Sequence, residues 1–189
     1  MFTAEMKIVS TAPYSPSKMM PESKGGDEGW DVFERRMWMK KAHISKEAGT
    51  VIIPQIAFHK AITAGAGRLG MKLVNKGKAT YKGRFVSGII VSAPLDTKQT
   101  LTEDDCIWIS AHADGNKTAS GRGTRVPRCF PILMSWAGAL VIQVLDDAIT
   151  LPILEEHVNY AGQFIGVGRW RPENGGYNGR FKSVSAKTI

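Results

Sequence analysis

Phe164 to Phe181 reads Phe-Ile-Gly-Val-Gly-Arg-Trp-Arg-Pro-Glu-Asn-Gly-Gly-Tyr-Asn-Gly-Arg-Phe, with five glycines, three arginines and four aromatics in eighteen residues. A helical pattern runs into this stretch and a strand pattern runs out of it. The glycines are spaced too widely for a dinucleotide fingerprint, and that fingerprint follows a strand, not a helix. Glycine lets backbone amides come close to a ligand because no Cβ intervenes. Arginine adds a planar, permanently charged fork suited to phosphate, and aromatic faces stack on bases. The stretch reads as a nucleic-acid contact loop. The competing reading is a tight structural connection.

The remaining pattern is α+β. Residues 4–11 read as a strand, and 12–29 are rich in Pro, Ser, Gly and Lys. Trp30 to Met39 reads as a helical turn leading into a strand at Met37 to Ile44. Thr50 to Ile53 is β-branched, Pro54 suits a first helical turn, and Gln55 to Leu73 has one apolar helical face. Strands are expected at Phe85 to Pro94, Cys106 to Ala111, Ala139 to Leu145 and Arg180 to Ser185. A helix capped by Thr150 runs to about Phe164. The order predicts a ferredoxin-like (RRM-like) antiparallel sheet with two main helices and long loop insertions. We expect a single domain over 1–189, with an insertion at about 12–36 and a flexible basic loop at about 112–128.

Charge supports a polyanion partner. Lys and Arg number 25 against 17 Asp and Glu, for a formal net charge of +8. The excess gathers at 35–46, 68–84, 117–128 and 169–187, while 95–105 and 146–156 are acidic. Two further basic loops bear glycine. One carries Lys76, Lys78, Tyr81, Lys82 and Arg84; the other carries Lys117, Arg122, Arg125 and Arg128. Each taken alone also reads as a solvated surface loop.

Other chemistry has little to stand on. The two cysteines, Cys106 and Cys129, have no Cys or His at metal-ligand spacing, and we expect two buried thiols in a reducing cytoplasm. No apolar run approaches the ~20 residues of a membrane span, and Met1 to Ser10 lacks a signal pattern. His43, His59, His112 and His157 are scattered. His112 with Asp114, and Asp146 with Asp147, are the only candidates for acid–base or metal work. No phosphate-cradling Gly-Lys-Ser/Thr and no activated nucleophile is recognisable. No cofactor or metal is expected.

Val51-Ile52-Ile53-Pro54-Gln55-Ile56-Ala57-Phe58-His59-Lys60-Ala61-Ile62 resembles the strand, Ile-Pro, helix entry of the repeat-associated mysterious proteins (RAMPs), the RNA-binding subunits of CRISPR effector complexes. Gly166 to Arg169 with Gly175 to Phe181 resembles the C-terminal glycine-rich loop of that superfamily. The family's Ile-Pro-Gly-Ser-Ser is here Ile53-Pro54-Gln55-Ile56-Ala57. The chain is also similar to bacteriophage and prophage proteins. The resemblance implies an RRM-like core, binding of single-stranded RNA and side-by-side assembly along the strand. Some relatives are RNA endonucleases that use a histidine, and no histidine here matches theirs.

These readings converge on a non-enzymatic binder of single-stranded RNA or DNA, forming a homo-oligomer along the strand in the cytoplasm of a bacterial host cell. Gly166, Gly168, Arg169, Arg171, Gly175, Gly176 and Arg180 would cradle the backbone through main-chain amides and guanidinium groups. Lys76, Lys78, Lys82 and Arg84 would extend the track. Tyr81, Trp170 and Tyr177 would stack on bases, and Arg122, Arg125 and Arg128 would form a flexible finger. Two alternatives stay open. One is a nuclease using His112, Asp114 or Asp146; the other is a phage inhibitor or mimic whose partner is a host defence protein.

Overall fold

A computed structural model describes residues 1–20, 22–74, 76–112 and 124–189. The elements in chain order are β1 (Phe2–Ser10), α1 (Trp30–Met37), a 3-10 turn (Trp38–Lys41), β2 (Ile52–Ile53), α2 (Gln55–Leu69), α3 (Lys82–Ser87) and β3 (Ile89–Val91). They continue with β4 (Leu95–Asp96), β5 (Cys106–His112), β6 (Arg125–Pro131), β7 (Ala137–Val144), α4 (Leu151–Phe164) and β8 (Phe181–Thr188).

Four strands form one antiparallel sheet in the order β3-β7-β1-β8. Side chains alternate across a strand, and burial follows. Ala4, Met6 and Ile8 of β1, with Leu140, Ile142 and Val144 of β7, face the core. The covering helices bury residues at helical spacing: Phe58, Ala61, Ile62, Gly65 and Ala66 on α2, and Leu154, His157, Val158, Ala161 and Gly162 on α4. Phe58, Trp136 and Phe181 meet between helix and sheet, with centroids 5.4 to 6.4 Å apart. Burying each such ring stabilises by about 1.5–3 kcal/mol.

Small residues set the spacing of the layers. A Cβ on Gly65 would lie 3.0 Å from that of Ala161, and one on Gly162 would overlap the Phe181 carbonyl oxygen. The helices therefore lie close to each other and to β8.

Several elements depart from the pattern expected of the sequence. Met37 to Ile44 is not a strand: the helix runs into a 3-10 turn, because Phe33, Glu34, Met37, Trp38 and Lys41 are all buried at helical spacing. Phe85 belongs to a helix, not to a strand beginning there. Tyr81 and Phe85, four apart, both pack on His157, and this contact overrides local β propensity. Cys106 and Cys129 are not separate thiols but a disulfide across the β5–β6 hairpin. Arg125 and Arg128 lie within β6, so the hairpin strands reach further than a loop at 112–128 allows. Arg122 lies outside the described residues.

His157 has no solvent exposure and stacks on Phe85 at 4.2 Å, with Nδ1 2.7 Å from the Ile153 carbonyl oxygen. Burial holds its imidazole below the usual histidine value. The unfolded chain then binds a proton that the folded chain refuses, so stability is full above about pH 6.5 and falls as the solution is acidified. Urea titrations at a series of pH values should show that loss below pH 6.5, and His157→Phe should flatten it. Gly162→Ala should lower stability by about 1–3 kcal/mol through overpacking against β8.

Candidate nucleic-acid interface

The glycine loop is laced to the segment just after β1. The Arg169 amide donates to the Ser15 carbonyl at 2.7 Å, and the Gly179 amide donates to that of Pro13 at 2.6 Å. Within the loop, Val167 donates to Gly179, Asn178 to Trp170 and Gly176 to Arg171. At the helix end the Gly166 amide donates to Ala161. Close approach is the reason for the glycines. Gly168, at φ +80°, has the Ser15 carbonyl oxygen 2.5 Å and the Tyr14 ring 2.6 Å from where its Cβ would be. Gly166, at φ +72°, has Pro172 in that position at 2.7 Å, and Gly176 has the Trp170 carbonyl there. Gly175, with open space beside it, ends a short 3-10 turn.

This corrects the expected role of the loop. Its glycines admit neighbouring backbone of the same chain, and the amides of Gly166, Arg169, Gly175, Gly176 and Gly179 are engaged by carbonyl oxygens. They are not donors held ready for a phosphate.

What the loop does build is the wall of a groove of about 480 Å³. Ile165 to Gly168 and Arg171 form one side; Pro54, Ile56, Ala57 and Lys60 from the start of α2 form the other. Tyr14 and His43 also line it. Ile56 and Lys60 share a helix face because they are four apart, and both are exposed. Arg171 pairs with Glu173 at 2.8 Å, with about a third of each side chain exposed. Such a pair is worth little, ~0–1 kcal/mol, so Arg171 exchanges partners readily. Burial, and then nearby Lys18, holds the His43 imidazole below its ordinary value. Pro54 precedes the first turn of α2, whose end carries the positive pole of the helix.

The remaining expected site residues scatter. Arg169 turns away from the groove and lays its guanidinium 4.1 Å over the Phe130 ring; burial holds it below the usual arginine value. Trp170, at φ +55°, meets Phe130 edge-on at 5.3 Å. Tyr177 is 61% exposed and open to stacking. Arg180 caps the end of α4 through the Gln163 carbonyl at 3.1 Å. Lys76, Lys78 and Lys82 are exposed, but none lines the groove.

Tyr81 is buried, its ring packed on Phe85 and His157, and cannot stack on a base. Arg84 pairs with Asp146 at 3.0 Å. Arg128 is no part of a free finger: it pairs with buried Glu34 at 3.0 Å and lies 4.0 Å over the Trp30 ring. His112 and Asp146 line different clefts and form no joint catalytic pair. Asp114 lies outside the described residues, as does Lys117.

Sequence reasoning missed Lys60, His43 and the Pro13–Ser15 strap. Lys60 carried a signal, one turn after Ile56 on a helix that follows Pro54. The strap carried none, since its role is to supply main-chain carbonyls.

No protein-family profile matches the chain, and no curated protein matches it. Solved structures do. A chain of the Type III-B Cmr-beta bound to cognate target RNA, solved by cryo-EM, matches at a TM-score of 0.57 and 13% identity, over 100% of this chain and 60% of that one. The crystal structure of Cmr6 from Pyrococcus furiosus matches at 0.51 and 12% identity, over 97% of this chain and 98% of that one. The chain shares its fold with these two structures. At these identities the likeness concerns the fold, and the chain spans only 60% of the length of the first of these neighbours. Among the described residues no helix is long and apolar enough to cross a membrane.

Gly168→Ala should cost about 1–3 kcal/mol from the left-handed backbone and the Ser15 and Tyr14 contacts. Gly175→Ala, with open space beside it, should cost only the backbone part, about 1–2 kcal/mol. Thermal melts of the two variants check the ordering.

Proposed function

We propose that the chain binds single-stranded nucleic acid, RNA foremost, along the groove between α2 and the glycine loop. One observation carries this. The two segments that resemble RAMP motifs, Val51 to Ile62 and Gly166 to Phe181, are distant in sequence yet form the two walls of one groove bearing Lys60 and Arg171. The start of α2 adds its dipole. Tyr177 adds an exposed ring beside the loop.

The order β1-α2-β3-β7-α4-β8, with sheet order β3-β7-β1-β8, supports a ferredoxin-like core. One neighbour of that fold is a chain of an assembly bound to target RNA, which favours RNA over DNA and side-by-side assembly along a strand. In this reading the cations supply affinity and the glycine loop supplies shape. Lys76, Lys78 and Lys82 add long-range attraction without direct contact.

Binding of a short single strand should weaken with salt, by a slope of about −0.7 per phosphate neutralised. Lys60→Ala and Arg171→Ala should each flatten that slope by about one unit, while Arg84→Ala, paired with Asp146, should leave it nearly unchanged. Slopes unaltered in both groove variants would remove the groove from the reading.

A further inference from the structure

The groove between α2 and the glycine loop has a floor as well as two walls. Ala57, Ala61 and Ala64 share one face of α2, because they lie four and then three residues apart. Gly166 and Gly168 line the other wall. Side chains that stop at Cβ, or lack it, leave a hollow of about 480 Å³, within the range of roughly 300–1,000 Å³ for ligand sites. Tyr14, Ala61, Ile165 and Val167 are each at most 3% exposed, yet all four line it.

Charge and depth are separated in this groove. Lys60 is exposed on one wall and Arg171 partly exposed on the other, so the cations sit at the rim. The buried lining is apolar apart from the Tyr14 hydroxyl. A phosphodiester would lose its hydration in such an interior and stays with the rim cations. The interior suits a flat, uncharged group tethered to that phosphate, and a base fits this description. Bases stack on His and Tyr rings, and His43 lines the groove. Burial, and then Lys18, holds its imidazole below the ordinary value, so it meets a ligand as a neutral ring at neutral pH.

Tyr14 supplies the polar contact. Its hydroxyl makes no hydrogen bond among the described residues, and burial alone pushes its pKa up. The ring itself is fixed, 5.9 Å from Trp136 and against Gly168. A buried hydroxyl without a partner has lost the hydrogen bond that water supplied. The donors and acceptors along a base edge restore it.

We propose that one base of the bound strand is unstacked and seated in this hollow, with its flanking phosphates on Lys60 and Arg171. The inference rests on the groove reading and adds to it, since a strand held by its phosphates alone would cross the rim and leave the hollow empty.

The test uses the full chain and three short RNA strands of equal length and charge. One carries every base, one is abasic throughout, and one is abasic except for a single central base. Calorimetry at fixed salt should show the abasic strand binding at least about tenfold more weakly than the single-base strand. Ala57→Leu and Ala64→Leu, which fill the hollow and leave its cations in place, should each bring those two strands to within about twofold of one another. Tyr14→Phe, which removes only the hydroxyl, should weaken the single-base strand about two- to tenfold and leave the abasic strand unchanged. Equal affinity of the wild-type chain for all three strands overturns the proposal and leaves the hollow to another occupant, such as an apolar side chain of a protein partner. A base preference that survives both folded leucine variants also overturns it, by placing the base elsewhere, as on exposed Tyr177. Thermal melts establish which variants are folded. If one leucine variant loses its transition, the other decides; if both do, an unchanged preference in Tyr14→Phe overturns the proposal. Equal affinities with salt slopes that still flatten in Lys60→Ala and Arg171→Ala would remove the seated base and keep the groove. Slopes unaltered in both would remove the groove itself.

Discussion

The contact on which the candidate groove depends is main chain against main chain. Pro13 and Ser15, just beyond β1, offer carbonyl oxygens to the amides of Gly179 and Arg169. The approach leaves no room for a Cβ at Gly168, where it would lie 2.5 Å from the Ser15 carbonyl oxygen, and within the loop Gly179 likewise admits the Val167 carbonyl. The lacing fixes a reversal between α4 and β8. It also fixes the direction of the residues that emerge from it: Arg171 turns to the groove shared with α2, and Arg169 and Trp170 turn to Phe130 of the β5–β6 hairpin. A loop this rich in glycine would otherwise lose much conformational entropy on ordering. Here the cost is offset by hydrogen bonds that satisfy its own amides and the strap's carbonyls.

A second constraint ties the region before α2 to the hairpin. Glu34 and Lys41 are buried together, two helical turns apart, and Arg128 of β6 and the Cys129 amide complete the set. Burying charge gains little net stability. Its effect is positional, since a buried carboxylate with both oxygens engaged by three donors favours one arrangement of neighbours. The β5–β6 hairpin is thereby held against α1 and the following turn, beside the glycine loop. Arg169 lies beside this cluster, its guanidinium over the Phe130 ring.

Most of the core was legible in the sequence. The apolar spacing of Gln55 to Leu73 and of the segment after Thr150 marked α2 and α4, and the strands read at 4–11 and Ala139 to Leu145 correspond to β1 and β7. The α2 limit was read too late because Gly70, at φ +62°, ends the helix. Where local signals were weak, long-range packing decided. Phe85 and Val86 favour a strand on their own, but burial of Phe85 beside His157 gives a helix. The site was legible as segments and not as geometry. Both stretches that wall the groove had been singled out, along with Arg171. The partners of the loop amides were not, because a carbonyl acceptor can come from any residue type. Tyr81 and Arg128 looked available because composition cannot tell an exposed ring or cation from one already packed.

The sheet itself narrows where a strand could stack. In an RRM-type surface, aromatic side chains on the open face carry the bases. Here the inward residues of β1 and β7 are even-numbered, so the open face presents Thr3, Glu5, Lys7 and Val9 beside Ala139, Val141 and Gln143. The flanking strands add Ile90, Lys182 and Val184. None of these is aromatic, and Glu5 pairs with Lys187 across the same face. Among the described residues of these strands, that face has no ring on which a base could stack. The glycine loop and hairpin instead carry Trp170, Tyr177 and Phe130, each partly or fully exposed. In the proposed reading, recognition therefore belongs to the loop layer at one end of the fold, with the sheet as the frame that holds the loop ends in register.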